Sequence, residues 1–515
     1  MRMAFRLSQV CKFWREVATH TPALWTSAYI NYTRLETLPP ATFASLVDTV
    51  VERNRSNSMA LEIRDSLRLR PNEFGRLYMQ NCQALSDMIL RKVSSLSLIV
   101  SATFWEWLAN CDQFEGNFST LDSLSIVVAV QKLQRSFLNW SRLAPSLTRA
   151  SISVRNPLTL MDMEFPWPSL LNVSYHFYLE SGVGRHGGNH SRGVWHMRLA
   201  LHTRLESMEV TFLVINSLNG RSSLSPINGT FPVTLANLKR FSVTNDLDGN
   251  VASLFHELAL PALEDFTFEA VTPCQVTIDS SKPPSMDMYL DIGELKDSFS
   301  HLTHLILLRV CIADSDFRPI FETTISLVHL HLLNVSRCPT HEEGFEVSNG
   351  QRQPHWTPEN SEILRLLTPT KYETLVSGSP VQHGEETLLP RLKLLHLHDP
   401  CCVQDIQTHA QGYAGLVSSR LVARPSSGLC DRGPPEFHLT VSFPGLFSTS
   451  RVSGVRAAMD SKLGKARSLA HFTDKLVHDL EAMPRRVCSR IEGIMDDCDA
   501  DLECGDVELD FGSGY

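Results

Sequence analysis

One apolar pattern returns along the middle of the chain: a Leu, an apolar residue three positions on, and another two after that. Leu121/Leu124/Ile126, Leu170/Val173/Tyr175, Leu205/Met208/Val210, Leu238/Phe241/Val243 and Leu263/Phe266/Phe268 carry it. Leu302/Leu305/Leu307, Leu327/Leu330/Leu332 and Leu392/Leu395/Leu397 continue it, and Val93/Leu96/Leu98 and Leu147/Ala150/Ile152 are weaker copies. The last two apolar residues alternate along a short strand and point to one side. The first Leu enters from the preceding turn. Stacking such units buries their apolar faces as one continuous core with a parallel sheet. The spacing is irregular: Leu121 to Leu147 is 26 residues, Leu238 to Leu263 is 25, and Leu327 to Leu392 is 65. The last gap marks a lost unit or a long insertion.

Other periods flank this array. Leu7, Val10, Cys11, Trp14 and Val17 share one face of an amphipathic helix, with Lys12, Arg15 and Glu16 opposite. Thr21-Pro22 ends that helix and opens a second, with Thr21 as its cap and Leu24 and Trp25 as its apolar side. Phe43, Leu46, Val47 and Val50 predict a helix in the connector 31–57, and Met59, Leu61 and Ile63 alternate like a strand. Gly182–Gly193, Ser217–Gly229, Thr272–Ser285, His341–Pro358, Ser377–Glu386 and Arg424–Pro435 read as surface loops. Arg451–Arg490 is helix-prone, with nine Lys/Arg against four Asp/Glu; Leu469, Phe472 and Leu476 lie on its apolar stripe. Asp496–Tyr515 holds eight acidic residues and no basic one.

Composition narrows the function. The 515 residues are 43% hydrophobic, which excludes wholesale disorder, and a net charge of −9 argues against a general nucleic-acid binder. There is no signal-peptide core at the start and no apolar run long enough to span a membrane. The twelve Cys show no paired CxxC frame, so reduced thiols and a cytoplasmic or nuclear location are expected, without a membrane partner.

Leu7-Ser-Gln-Val-Cys-Lys-Phe-Trp-Arg-Glu-Val-Ala18 followed by Thr21-Pro-Ala-Leu-Trp25 resembles the second half of an F-box. The resemblance covers the first 30 residues and implies a helical module that docks on a Skp-family adaptor and so joins a cullin ubiquitin ligase. It implies adaptor contacts at Leu7, Val10, Cys11, Trp14, Pro22, Leu24 and Trp25. An F-box opens with a Leu-Pro helix, and the match here starts inside the following one. The recurrent triplets resemble the strand segment of leucine-rich repeats. F-box modules followed by such repeats are a familiar pairing.

The expected fold class is α/β: a partial F-box (1–30), a helical connector (31–57), an irregular leucine-rich-repeat-like solenoid (58–445), a C-terminal helical segment (446–495) and an acidic tail (496–515). No catalytic, metal or cofactor constellation is expected. Gly182–Gly187 spells GxGxxG but continues as loop, where a dinucleotide site needs a helix to open. Asp497, Asp499, Asp501 and Glu508 have calcium-loop spacing but lack its glycine, since position six is Leu502. The pairs His329/His331 and His396/His398 read as exposed strand positions. The expected function is substrate recognition for an SCF-type ubiquitin ligase. Target-binding positions are Ser125, Glu209, Ser242, Thr267, His331 and His396, which lie between the core residues of their strands. The second reading is a non-catalytic repeat scaffold with a vestigial F-box and no ligase role.

Overall fold

The computed structural model of the chain describes residues 9–31, 39–54, 58–64, 93–100, 118–128, 139–154, 160, 163–180, 198–215, 233–245, 255, 258–270, 298–308, 310–333, 336–338, 347–348, 351–352, 363, 366–367, 388–398, 416, 438–442 and 470–472. The fold is mixed α/β, dominated by parallel sheet with few helices. Two compact units divide it: Met1–Glu359 with Thr387–Leu392, and Asn360–Glu386 with Lys393–Tyr515.

The first unit is built on successive strands laid side by side in chain order. They are β1 (Ser27–Asn31), β2 (Met59–Arg64), β3 (Val93–Val100), β4 (Ser123–Val128), β5 (Arg149–Val154), β6 (Asn172–Glu180) and β7 (Ser207–Ile215). After the short β8 (Val233–Thr234) come β9 (Arg240–Asn245), β10 (Leu258–Ala259, paired with β8), β11 (Asp265–Ala270), β12 (His304–Leu308), β13 (Cys311–Ala313) and β14 (His329–Leu333). All neighbours in the main sheet run parallel. Every recurrent apolar triplet of this unit falls on one of these strands and its entering turn, and each of its residues is buried.

Register turns the motif into rows across the sheet. Leu61, Leu96, Leu124, Ala150, Val173, Met208, Phe241, Phe266, Leu305 and Leu330 stand side by side. Two residues on, Ile63, Leu98, Ile126, Ile152, Tyr175, Val210, Val243, Phe268, Leu307 and Leu332 form the second core row. Neighbouring strands lie about 4.8 Å apart, so each side chain packs on its counterparts in the strands either side.

The turns carry a signal that the triplet alone misses. The N–H of the leading Leu donates to the carbonyl three residues earlier: Leu121 to Phe118, Leu147 to Ala144, Leu170 to Trp167, Leu238 to Leu235, Leu263 to Leu260, Leu302 to Phe299 and Leu327 to Thr324. That earlier residue is buried each time, so the repeating unit has four inward positions rather than three. The carbonyl after each leading Leu then accepts two N–H groups from the next unit. Asp122 accepts from Thr148 and Arg149, Thr148 from Leu171 and Asn172, and Leu171 from Glu206 and Ser207. Backbone groups outside the strands are thereby satisfied between units.

At the start of the chain, helix α1 (Lys12–His20) is followed by a 3-10 turn, Pro22–Trp25. The helix expected to run from Leu7 is broken at Cys11, which is extended (φ −159°): Gln9 and Val10 before it are helical, and the continuous helix runs from Lys12. Leu7 lies outside the described residues. Thr21 does not cap the second element; its hydroxyl donates back to the Val17 carbonyl (2.7 Å), closing the end of α1 instead. Helix α2 (Pro40–Asn54) buries Phe43, Val47 and Val50, while Leu46 is exposed. Further along, α3 (Trp140–Leu143) is one turn, capped by the Asn139 side chain (2.9 Å to the Arg142 N–H). Helix α4 (Asp314–Thr323) buries Phe317, Ile320 and Phe321, a helical spacing of three and one.

In the second unit β18 (Leu394–His398), β19 (His438–Ser442) and β20 (Ala470–Phe472) pair in parallel. Between β14 and β18 lie β15 (Ser336–Cys338, paired with β13) and the hairpin strands β16 (Val347–Ser348) and β17 (Gln351–Arg352), the latter two inside the expected loop His341–Pro358. Strand β20 corrects the sequence reading: the described part of the expected helix 446–495 is strand. Pairing with β19 supplies hydrogen bonds and overrides helical periodicity in a three-residue stretch. The rest of that segment, the acidic tail, the calcium-like spacing and the Gly182–Gly187 run lie outside the described residues.

Candidate interaction surfaces

Two surfaces collect the residues singled out in the sequence. The first is at the start of α1. Val10, Phe13 and Trp14 are 66%, 65% and 41% exposed, and the rings of Phe13 and Trp14 meet edge to face at 5.6 Å. Cys11 beside them is also exposed. Phe13 was not among the expected contacts, yet it is as open as Val10. One turn on from Trp14, Ala18 is buried, and its carbonyl accepts from the indole N–H of Trp25 at 2.6 Å. Trp25 is wholly buried, with the Arg53 guanidinium of α2 over its ring at 4.7 Å. Trp25 therefore serves as the anchor that fixes α1 on α2, and is not itself a surface contact. Pro22 and Leu24 are half-buried in the turn between them.

The second surface is the sheet face opposite the core rows. Strand alternation puts three outward rows there. The middle row runs Tyr29, Glu62, Ser97, Ser125, Ser151, Ser174, Glu209, Ser242, Thr267, Ile306 and His331. Five of the expected target positions, Ser125, Glu209, Ser242, Thr267 and His331, thus fall in one lateral row, and all five are half-buried. His396 is half-buried on β18 of the second unit, in register with Thr440.

Exposure changes along the strands. In the row at their N-terminal ends Arg149 and Arg240 are exposed, and Asp265, His304 and His329 follow in register. Asp265 Oδ1 lies 2.6 Å from His304 Nδ1, and the rings of His304 and His329 are 4.4 Å apart. In the row at the C-terminal ends, Ser153, Thr211 and Glu269 are buried. Burial pulls the His176 imidazole below its ordinary range, with the Glu209 carboxylate opposing the shift. His176 Nδ1 and Thr211 Oγ1, in register on β6 and β7, are buried without hydrogen-bond partners. The Ser174 hydroxyl donates to Glu209 Oε2 at 3.2 Å.

On the core side one polar pair interrupts the apolar rows. Tyr175 OH and His202 Nε2 are 2.9 Å apart, both buried, and the Trp167 ring meets His202 edge on at 5.2 Å. Arg198 lies over Trp167 at 5.5 Å. Burial first, and the Arg198 charge second, pull the His202 pKa down to about 4.

Among the described residues no three His, Cys, Asp or Glu side chains gather as a metal site would, and no helix is long and apolar enough to cross a membrane. The chain matches no family model and no curated protein.

Proposed function

We propose that the chain is a non-catalytic receptor: the substrate-recognition subunit of an SCF-type ubiquitin ligase. Its partial F-box holds a Skp-family adaptor, and a leucine-rich-repeat-like solenoid holds the target. The observation that carries this reading is the open cluster Val10, Phe13 and Trp14. Large apolar side chains at such exposure, on a segment anchored at its C-terminal end by Trp25, suit a partner that covers them. They sit within the segment whose sequence resembles an F-box. The row from Ser97 to His331 supports the second half of the reading, since a broad sheet face with half-buried polar side chains is a surface for a protein partner. The receptor performs no chemistry; it raises the effective concentration of the target beside the charged ubiquitin enzyme. Co-purification of the full chain with a Skp-family adaptor tests this. Capture supports the receptor; failure of the intact chain to be captured leaves the repeat scaffold without a ligase role.

A further inference from the structure

Two imidazoles meet on the outward face near the N-terminal ends of the strands. His304 on β12 and His329 on β14 are in register on adjacent parallel strands, and their rings are 4.4 Å apart. The place is open to solvent. The His304 side chain is 43% exposed, that of Asp265 beside it on β11 is 40% exposed, and His329 is half-buried.

The surroundings fix the state of His304. The Thr303 hydroxyl donates to the Glu264 carbonyl at 3.1 Å, so its one proton is used there. Its approach to His304 Nδ1 at 2.8 Å is therefore as an acceptor, and Nδ1 carries the proton. Asp265 Oδ1 accepts from the same N–H at 2.6 Å. The neutral ring then presents its lone pair at Nε2, which forms no hydrogen bond among the described residues.

A carboxylate on one ring nitrogen, with the other nitrogen left as a lone pair, is how metal-ligating histidines are held. The outer carboxylate sets the tautomer and ring orientation and raises the basicity of the ligating nitrogen. Two imidazole nitrogens on a tetrahedral ion, each about 2.0–2.1 Å from it, stand about 3.3 Å apart. Rings with centroids 4.4 Å apart reach that separation by side-chain rotation, without movement of the strands. Asp265 also stands between the pair and the exposed Arg240, in register on β9, and lowers the repulsion between that cation and a bound ion. Nitrogen ligands select the ion: imidazole suits Zn²⁺, Cu²⁺ and Ni²⁺, whereas Mg²⁺ and Ca²⁺ take oxygen. The pair supplies fewer protein ligands than the three that a closed cluster gathers, so the ion keeps open positions for water or for a donor from outside the chain.

We propose that His304 and His329, the former oriented by Asp265, form an open site for a divalent transition-metal ion of the imidazole-binding class on the outward face of β12 and β14. The site does not depend on adaptor binding.

The test is a Co²⁺ titration of the full chain labelled at Thr methyls. Co²⁺ is a paramagnetic stand-in for Zn²⁺ that shifts and broadens signals close to it. The Thr303 signal is assigned from a Thr303→Ser sample, which keeps the hydroxyl, and that of Thr148, five strands away, from Thr148→Ser. The expected result is a saturable Thr303 response at Co²⁺ levels that leave Thr148 unchanged, reversed by Zn²⁺ and untouched by Mg²⁺. His329→Asn should abolish it, and Asp265→Asn should raise the Co²⁺ needed by at least about tenfold. An unchanged Thr148 signal in both variants reports that the sheet remains folded. A Thr303 response no earlier than that of Thr148 overturns the proposal. So does an undiminished response in His329→Asn or Asp265→Asn, or reversal by Mg²⁺ as effective as by Zn²⁺.

Discussion

His202 occupies the turn position filled by Phe118, Ala144, Trp167, Leu235, Leu260 and Phe299 in other units. Its Nε2 is met by Tyr175, the one hydroxyl in the second core row, while its Nδ1 is buried without a partner. They are 27 residues apart, so sequence periodicity reads Tyr175 as another apolar position and gives no signal for His202. Unfolded, the imidazole binds a proton near pH 6.5; buried in the fold it does so only near 4. Between those values the unfolded chain holds the extra proton. Stability present above pH 6.5 is therefore lost as pH falls, by about 3 kcal/mol once pH reaches 4. Denaturant unfolding across that range should show this loss, and the pair Tyr175→Phe with His202→Leu should remove its part of the slope. An unchanged slope in the double variant would show that His202 is not the titrating group. Trp25 is the second residue to be placed by the fold: the resemblance implies both an anchor of its helix and an adaptor contact there, and its side chain is wholly internal, as an anchor's is. Trp25→Ala should cost about 3–5 kcal/mol in the unfolding transition that includes α1 and α2.

The strand triplets were legible because burial on one face of a short strand forces alternation, and a Leu at the turn forces the offset of three. Leu305, fully buried between Phe266 and Leu330, stands for all of them. Leu305→Ala should destabilise by about 2–5 kcal/mol, whereas Ser125→Ala, on the outward row, should change stability by no more than about 0.5 kcal/mol. Thermal melts of the two variants check this, and equal effects would mean that the face assignment is wrong. The elements without a periodic signal are those held by their context. Strand β1 has only Ala28 and Ile30 as inward residues and exists because β2 pairs with it. The 470–472 stretch looked helical through its apolar spacing and is fixed as strand by β19. The first helix is interrupted where Cys11 leaves the helical region between helical Val10 and Lys12, a backbone choice that amphipathic spacing does not encode.

Across the molecule, the stack of strands in chain order gives two chemically distinct faces from one short motif. The inward rows are aliphatic and aromatic; the outward middle row is mostly hydroxyls with Glu62, Glu209 and His331. The inward face was readable because its chemistry repeats. The outward face was readable only as positions, since its composition has no repeat, and the cluster at His176, Glu209 and Thr211 needed the register to bring β6 and β7 together. The receptor reading joins this face to the exposed helix at the start of the chain. Its most direct test is the affinity of the purified full chain for a purified Skp-family adaptor, measured for wild type, Trp14→Ala and Ser125→Ala. The account predicts binding by wild type and Ser125→Ala alike, and binding at least about tenfold weaker for Trp14→Ala, as expected for an exposed aromatic anchor. Absence of wild-type binding, or equal binding by Trp14→Ala, would contradict it.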